Sequence, residues 1–279
     1  MRLQLYLVRR YLTNRAAVGW GFLYMVFWAL MGAFVMSSSM PSNLPIDAYE
    51  LYTATWFGVL VLMEASAIGT STMYVLSYHT GTIPYLVRYS RMRAFDYVSA
   101  LVTAGLAFVV IYGLAILGVT YAFFSYHFKI QMVPEDLPLI LGSMVLSGLF
   151  FVAFSMFLEL LVIKYLGFSP ASSQAVNFVP LILGYGFGFA AINLNLGFLV
   201  YASPFADIEY LLIKGYYGGP LPIGAIASSP EIVTSANSPT FSEGLGILAL
   251  MAWIVALLTV SVALFNRVYY RNIYEGKVV

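Results

Sequence analysis

From Tyr97 to Phe124 the chain runs without a single Asp, Glu, Lys or Arg. Such a run must form all its backbone hydrogen bonds internally if lipid surrounds it, and only helices and closed barrels do so. Five further apolar stretches accompany it, and the six expected spans are Ala16 to Met36, Leu51 to Leu76, Tyr97 to Phe124, Leu137 to Ile163, Ala171 to Ile192, and Leu245 to Phe265. Each meets the roughly 20 residues that a spanning helix needs. They are continuous rather than alternating, which favours helices over barrel strands. Charged residues make up 9% of the 279, against about 25% in soluble domains, too few to cover a water-facing surface. The expected class is therefore an all-α membrane protein with six transmembrane helices, a single transmembrane domain over residues 1–279.

The fifth stretch opens with Ser172, Ser173, Gln174 and Asn177 and carries Pro180. Its polarity places it inside the bundle rather than against lipid. The apolar core of the first stretch is too long for a signal peptide, and no small-residue cleavage site precedes Ser37, so it is expected to stay in the mature chain.

Orientation follows from the basic residues. With both ends on one side, only Lys129 and Lys214 of the 13 Lys and Arg residues fall on the other. Both termini are thus expected in the cytoplasm, in a multi-pass protein of the cytoplasmic membrane. Asp207 and Glu209 count with the acids of the outer segments. A net charge of +1 gives no electrostatic footprint for nucleic acid. The absence of cysteine excludes disulfides, thiolate metal sites and a cysteine nucleophile.

Three segments outside the spans carry pattern. In residues 1–15, Leu3, Leu5, Leu7, Val8, Tyr11 and Leu12 fill one helical arc and Arg2, Arg9 and Arg10 the opposite one, the pattern of an interfacial helix with its arginines toward anionic membrane lipid. In residues 77–93, Gly81 breaks the preceding helix, Thr82 suits an N-cap and Pro84 a first turn. A short helix from Ile83 to Ser90 is expected there, followed by a basic tail. It is either a snorkelling basic turn or a docking helix for a cytoplasmic partner. In the outer loop 193–244, Ser203 and Pro204 read as N-cap and N1, and Gly215 as a C′ stop. The helix between them is too short to cross a bilayer and is expected to re-enter or to lie at the outer interface.

The chain has no phosphate-binding loop: its one Gly-Lys pair, Gly276-Lys277, is followed by Val278. His79 and His127 fall on opposite sides of the membrane and cannot share a metal. No enzyme constellation is visible, and no cofactor or metal is expected in this chain. Two acids lie within spans. Glu64 is central, where an ionised carboxylate costs roughly 2.5–3.5 kcal/mol on insertion scales. It is expected to line a transport path or to bond a neighbouring helix. Glu159 lies nearer the cytoplasmic end, where a snorkelling or cap-like role is expected. Gly184 and Gly188 share a face at i and i+4, which permits close helix approach.

This pattern resembles the ABC-2 type permeases of ABC exporters. The likeness rests on the N-terminal amphipathic helix, the six spans with both ends inside, the Pro-to-Gly helix Ser203, Pro204 to Gly215 before the last span, and the coupling segment. In many members that segment reads Glu-x-x-x-Gly-Thr-Leu-Glu-x-Leu. Here Gly81, Thr82, Ile83 and Leu86 match it, while Ser77 replaces the leading acid and Pro84 the second. The resemblance implies a dimer with a second permease chain, identical or different. It implies separate ATPase subunits that bind ATP and Mg and dock on Gly81, Thr82, Ile83, Leu86, Arg88, Arg91 and Arg93. The implied cargo is a drug, peptide, lipid or lipid-linked glycan. The rival expectation is an ATP-independent secondary transporter or channel built on Glu64.

Overall fold

The apolar runs become helices in the computed structural model, which describes residues 2–41, 44–79, 89, 93–162, 176–194, 196–224 and 239–269. The helices are α1 (Arg2–Leu12), α2 (Arg15–Val18), α3 (Tyr24–Leu30), α4 (Ile46–His79), α5 (Ala94–Phe128), α6 (Leu137–Leu161), α7 (Val179–Asn193), α8 (Pro204–Tyr217) and α9 (Glu243–Tyr269). Among the described residues there is no strand, only an isolated bridge between Pro222 and Thr240. Five helical segments are long and apolar enough to cross a membrane: Gly19–Ser38, Ile46–Ser77, Phe95–Phe128, Leu137–Leu161 and Glu243–Phe265. The chain is a multi-pass membrane protein.

The fifth expected span differs. Its described helix, α7, has 15 residues, which rise about 22 Å against a hydrocarbon core of about 30 Å. Residues 171–175 of that expectation lie outside the described residues. Most of the expected coupling segment, residues 80–88 and 90–92, lies outside them as well, including Gly81, Thr82, Ile83, Leu86, Arg88 and Arg91.

α4 is the hub. Of its most apolar window 89% is buried within the protein, against 28–50% for the other spans. An amphipathic pattern is absent from its sequence because every side meets a neighbour: the first span, α5, α6, α7 and α8 all pack on it. Glycines set the closest approaches. Gly184 and Gly188 of α7 face Ser66 and Leu62 of α4, and Gly69 of α4 faces Pro180 of α7. The two helices therefore run antiparallel with backbones close together. A side chain at Gly186 would meet open space.

The first span is not a regular α-helix. It contains π turns at Gly19–Leu23 and Met31–Val35, separated by α3. Each π turn holds a glycine against a ring. A Cβ at Gly21 would lie 3.1 Å from Phe108, and one at Gly32 would lie 2.5 Å from Trp56. The second turn's altered ladder is met from outside, where the Tyr52 hydroxyl donates to the Gly32 carbonyl at 2.9 Å.

α1 uses its apolar stripe against the protein. Leu7 and Tyr11 are buried, Leu3, Val8 and Leu12 pack partly buried on the core, and Leu5 alone of the expected arc is exposed, at 72%.

α8 begins as expected, with Pro204 in its first turn and the Ser203 hydroxyl accepting from the Ala206 N–H at 3.4 Å. Its end corrects the expectation of a stop at Gly215. The helix continues to Tyr217 and is capped by Gly218, whose φ of 71° suits glycine. Gly215 serves close packing instead, because a Cβ there would lie 2.9 Å from Ile140 Cγ1. The Asp136 N–H donates to the Gly215 carbonyl at 2.9 Å, fixing this end of α8 to the start of α6. The other end reaches the middle of α6, where Phe205 packs on Phe150 and stacks on Phe187 of α7 at 4.9 Å. Nearly all of α8 is buried, so it lies within the bundle rather than along a surface.

Candidate functional site

The described residues on either side of the expected coupling segment meet three other helices. At the close of α4, His79 Nε2 lies 3.1 Å from Arg10 of α1, and His79 Nδ1 lies 2.8 Å from the Tyr97 hydroxyl of α5. An arginine only donates, so Nε2 accepts and Nδ1–H donates to Tyr97. That tautomer requires a neutral ring. Burial, helped by the Arg10 charge, holds His79 below its ordinary pKa. About two turns further into α4, the buried Tyr11 hydroxyl donates to Thr72 Oγ1 at 3.1 Å. The Tyr112 hydroxyl donates to the Leu12 carbonyl at 3.1 Å. α1 is thereby fastened to α4 and α5 on either side of residues 80–92. Arg93, the described member of the expected docking set, is exposed and caps α5, its N–H donating to Asp96 Oδ2 at 2.9 Å.

Glu159 departs from the snorkelling expectation. Its side chain is fully buried, and the Ser77 hydroxyl of α4 donates to Oε1 at 2.6 Å. A donor on the adjacent helix meets the buried carboxyl group, and the hydrogen bond offsets part of the cost of its burial.

Glu64 is fully buried, and neither carboxylate oxygen has a hydrogen-bond partner among the described residues. Ala67 meets Gly21 of the first π turn, and Ile68 meets Gly105 of α5. Glu64 stands one turn before both and shares their side of α4. It faces the seam between the irregular first span and α5. Glu64 and Glu159 do not form one site, since Glu159 is bonded to Ser77, which lies about 20 Å along α4 from Glu64 at 1.5 Å rise per residue.

Two more buried acids escaped the sequence reading. Asp207 and Glu209, counted with the outer-segment charges, are both fully buried in α8, without a hydrogen-bond partner among the described residues. Burial pushes Asp207 up to about 8 and Glu209 well above the usual carboxylate range. The signal was present: the acids interrupt the apolar run from Pro204 to Ile213. Only the packing of α8 on α4, where Glu209 borders Gly58, gives that run its meaning.

A cavity of about 280 Å³ opens between α1, the first span, α4 and α7. Thr70, Ser71 and Tyr74 line it from α4, Arg10 and Asn14 from the N-terminal region, and Phe178 from the start of α7.

His127 bonds Ser37 at 3.0 Å, some 30 residues along α5 from the partner of His79, so the histidines stand at opposite ends of the bundle. Among the described residues no group of acids and histidines is arranged to hold a metal ion. No family model and no curated protein sequence matches this chain.

Proposed function

We propose that this chain is the membrane-spanning permease subunit of an ATP-driven ABC exporter. It pairs with a second permease chain, and separate ATPase subunits dock on the segment from Gly81 to Arg93. Both termini and that segment lie in the cytoplasm, by the distribution of basic residues. The cargo is hydrophobic or amphiphilic: a drug, peptide, lipid or lipid-linked glycan. α1 lies at the cytoplasmic interface, against the bundle on one side and anionic headgroups on the other.

The observation that carries this reading is the place of α4. The helix that runs into the docking segment is also the one on which the first span, α5, α6, α7 and α8 all pack. A push on residues 80–92 is delivered to the hub. The bonds from Arg10 and Tyr11 to α4, and from Glu159 to Ser77, link α1 and α6 to the same end. The second reading is a secondary transporter or channel, favoured by Glu64, a fully buried acid without a hydrogen-bond partner among the described residues.

The chain has no cysteine, so a single one introduced at Thr82 can carry a photoreactive maleimide. Illumination of native membranes should join it to a protein bearing a G-x-x-x-x-G-K-[ST] loop, and a cysteine at Ser229 should give no such adduct. Adducts with no ATPase from Thr82→Cys and Leu86→Cys, in chains that fold, would count against the docking site.

A further inference from the structure

We infer that the cavity between α1, the first span, α4 and α7 binds one anionic amphiphile, its headgroup at Arg10 and its chain directed toward Trp20. The inference requires only that the chain sits in a bilayer and is independent of the transport reading.

The cavity is polarised along α4. Ala67, Thr70, Ser71, Tyr74 and Val75 line it, a stripe at i, i+3, i+4, i+7 and i+8 that forms one helix face. Arg10 belongs to the end nearest His79, to which it is bonded. Ala67 belongs to the deeper end, where Gly21 of the first span meets it, one residue from Trp20. A cation therefore stands at one end of the cavity, two hydroxyls line its middle, and Ala67 and Trp20 line the other end.

Among the described residues Arg10 has no matching anion. Its recorded partner is His79, whose ring is neutral in the tautomer described above, and among the described residues the one ion pair joins Lys214 to Glu243. A guanidinium beside an apolar cavity, bonded to a neutral ring, retains donors for a phosphate or carboxylate. The second indication is Thr70. It is 8% exposed, lines the cavity, and its hydroxyl has no hydrogen-bond partner among the described residues. A buried hydroxyl without a partner is costly. A ligand with an ester or amide carbonyl one turn below its charged head satisfies it.

Size and exposure set the ligand class. A volume of about 280 Å³ holds a headgroup and the first part of a chain, not a whole lipid. Trp20 is 52% exposed and Phe178 43% exposed on the flanks, so the rest of a chain passes into surrounding lipid between aromatic side chains. A free inorganic anion at Arg10 would leave the end lined by Ala67 and Trp20 unfilled.

The test uses purified full-length chain in nanodiscs of equal phosphatidylglycerol and phosphatidylcholine, with retained lipid counted by native mass spectrometry. Wild type should retain phosphatidylglycerol about tenfold over phosphatidylcholine, the scale of one charge-assisted contact. Arg10→Gln should bring the ratio near one. Since that change also removes the bond to His79, Asn14→Asp supplies an independent arm: it sets a carboxylate four residues from Arg10 and should abolish the preference with α1 still docked. Ser71→Leu, which fills the cavity, should remove the retained lipid altogether. Excess inorganic phosphate should not displace it. Equal retention of the two lipids by wild type, an unchanged preference in both Arg10→Gln and Asn14→Asp, or displacement by inorganic phosphate would each overturn the inference.

Discussion

A Gly184→Ala chain should lose thermal stability, and adding Ser66→Gly should restore it. The added Cβ would overlap Ser66 Cβ and stand 2.7 Å from Ser66 Oγ. Both atoms belong to a short side chain close to the α4 backbone and cannot swing away. Overpacking of this kind costs about 1–3 kcal/mol, and here it separates α7 from the hub. Gly186→Ala should be neutral or slightly stabilising, because that position meets open space and alanine favours a helix by about 0.5–1 kcal/mol over glycine. Fluorescence-detected size exclusion after heating reads all four chains. Equal melting of Gly184→Ala and Gly186→Ala would contradict the α4–α7 contact, and so would failure of the double variant to recover.

Glu64→Lys should remove most folded protein from the membrane, while Glu64→Gln should fold and support ATP-driven transport at near wild-type levels. Glu64 is wholly buried, with no hydrogen-bond partner among the described residues. A lasting charge there costs roughly 2.5–3.5 kcal/mol, about a hundredfold in a folding equilibrium at 1.4 kcal/mol per factor of ten. Glutamine keeps the shape and removes the charge. The two functional readings part at this residue. If Glu64 carries a coupling proton, Glu64→Gln folds normally but loses pH-driven transport, and the secondary-transporter reading gains.

The spans were legible because lipid imposes a simple rule on composition. α5, built on the charge-free run from Tyr97 to Phe124, was legible almost to its ends. The first span's position was legible but not its π turns, since Gly21 and Gly32 gain meaning only from Phe108 and Trp56, which lie far away in sequence. α7 was harder: Ser172 to Pro180 signalled an interior helix, while its described extent falls short of a full crossing. At α8, Ser203 and Pro204 marked the start by local chemistry. Gly215 misled because glycine serves two purposes, and close approach to Ile140 is a tertiary fact.

The candidate site was legible in part. Glu64 stood out as a lone acid in an apolar run. Glu159 was misread because its partner, Ser77, is 82 residues away. Asp207 and Glu209 were misread because counting charges by loop assumes that loop residues meet water, and α8 does not. Arg10 was noted only as one charge of an amphipathic face. Its bond to His79 and its place at the cavity depend on how α1 docks.

The most direct measurement is gentle-detergent purification of the tagged chain from its native host, with mass spectrometry of its partners and assay of ATP hydrolysis. The account predicts a stoichiometric ATPase bearing a phosphate-binding loop, hydrolysis by the complex, and loss of both when residues 81–91 are scrambled in a chain that still folds. A folded chain that purifies with no ATPase would contradict it.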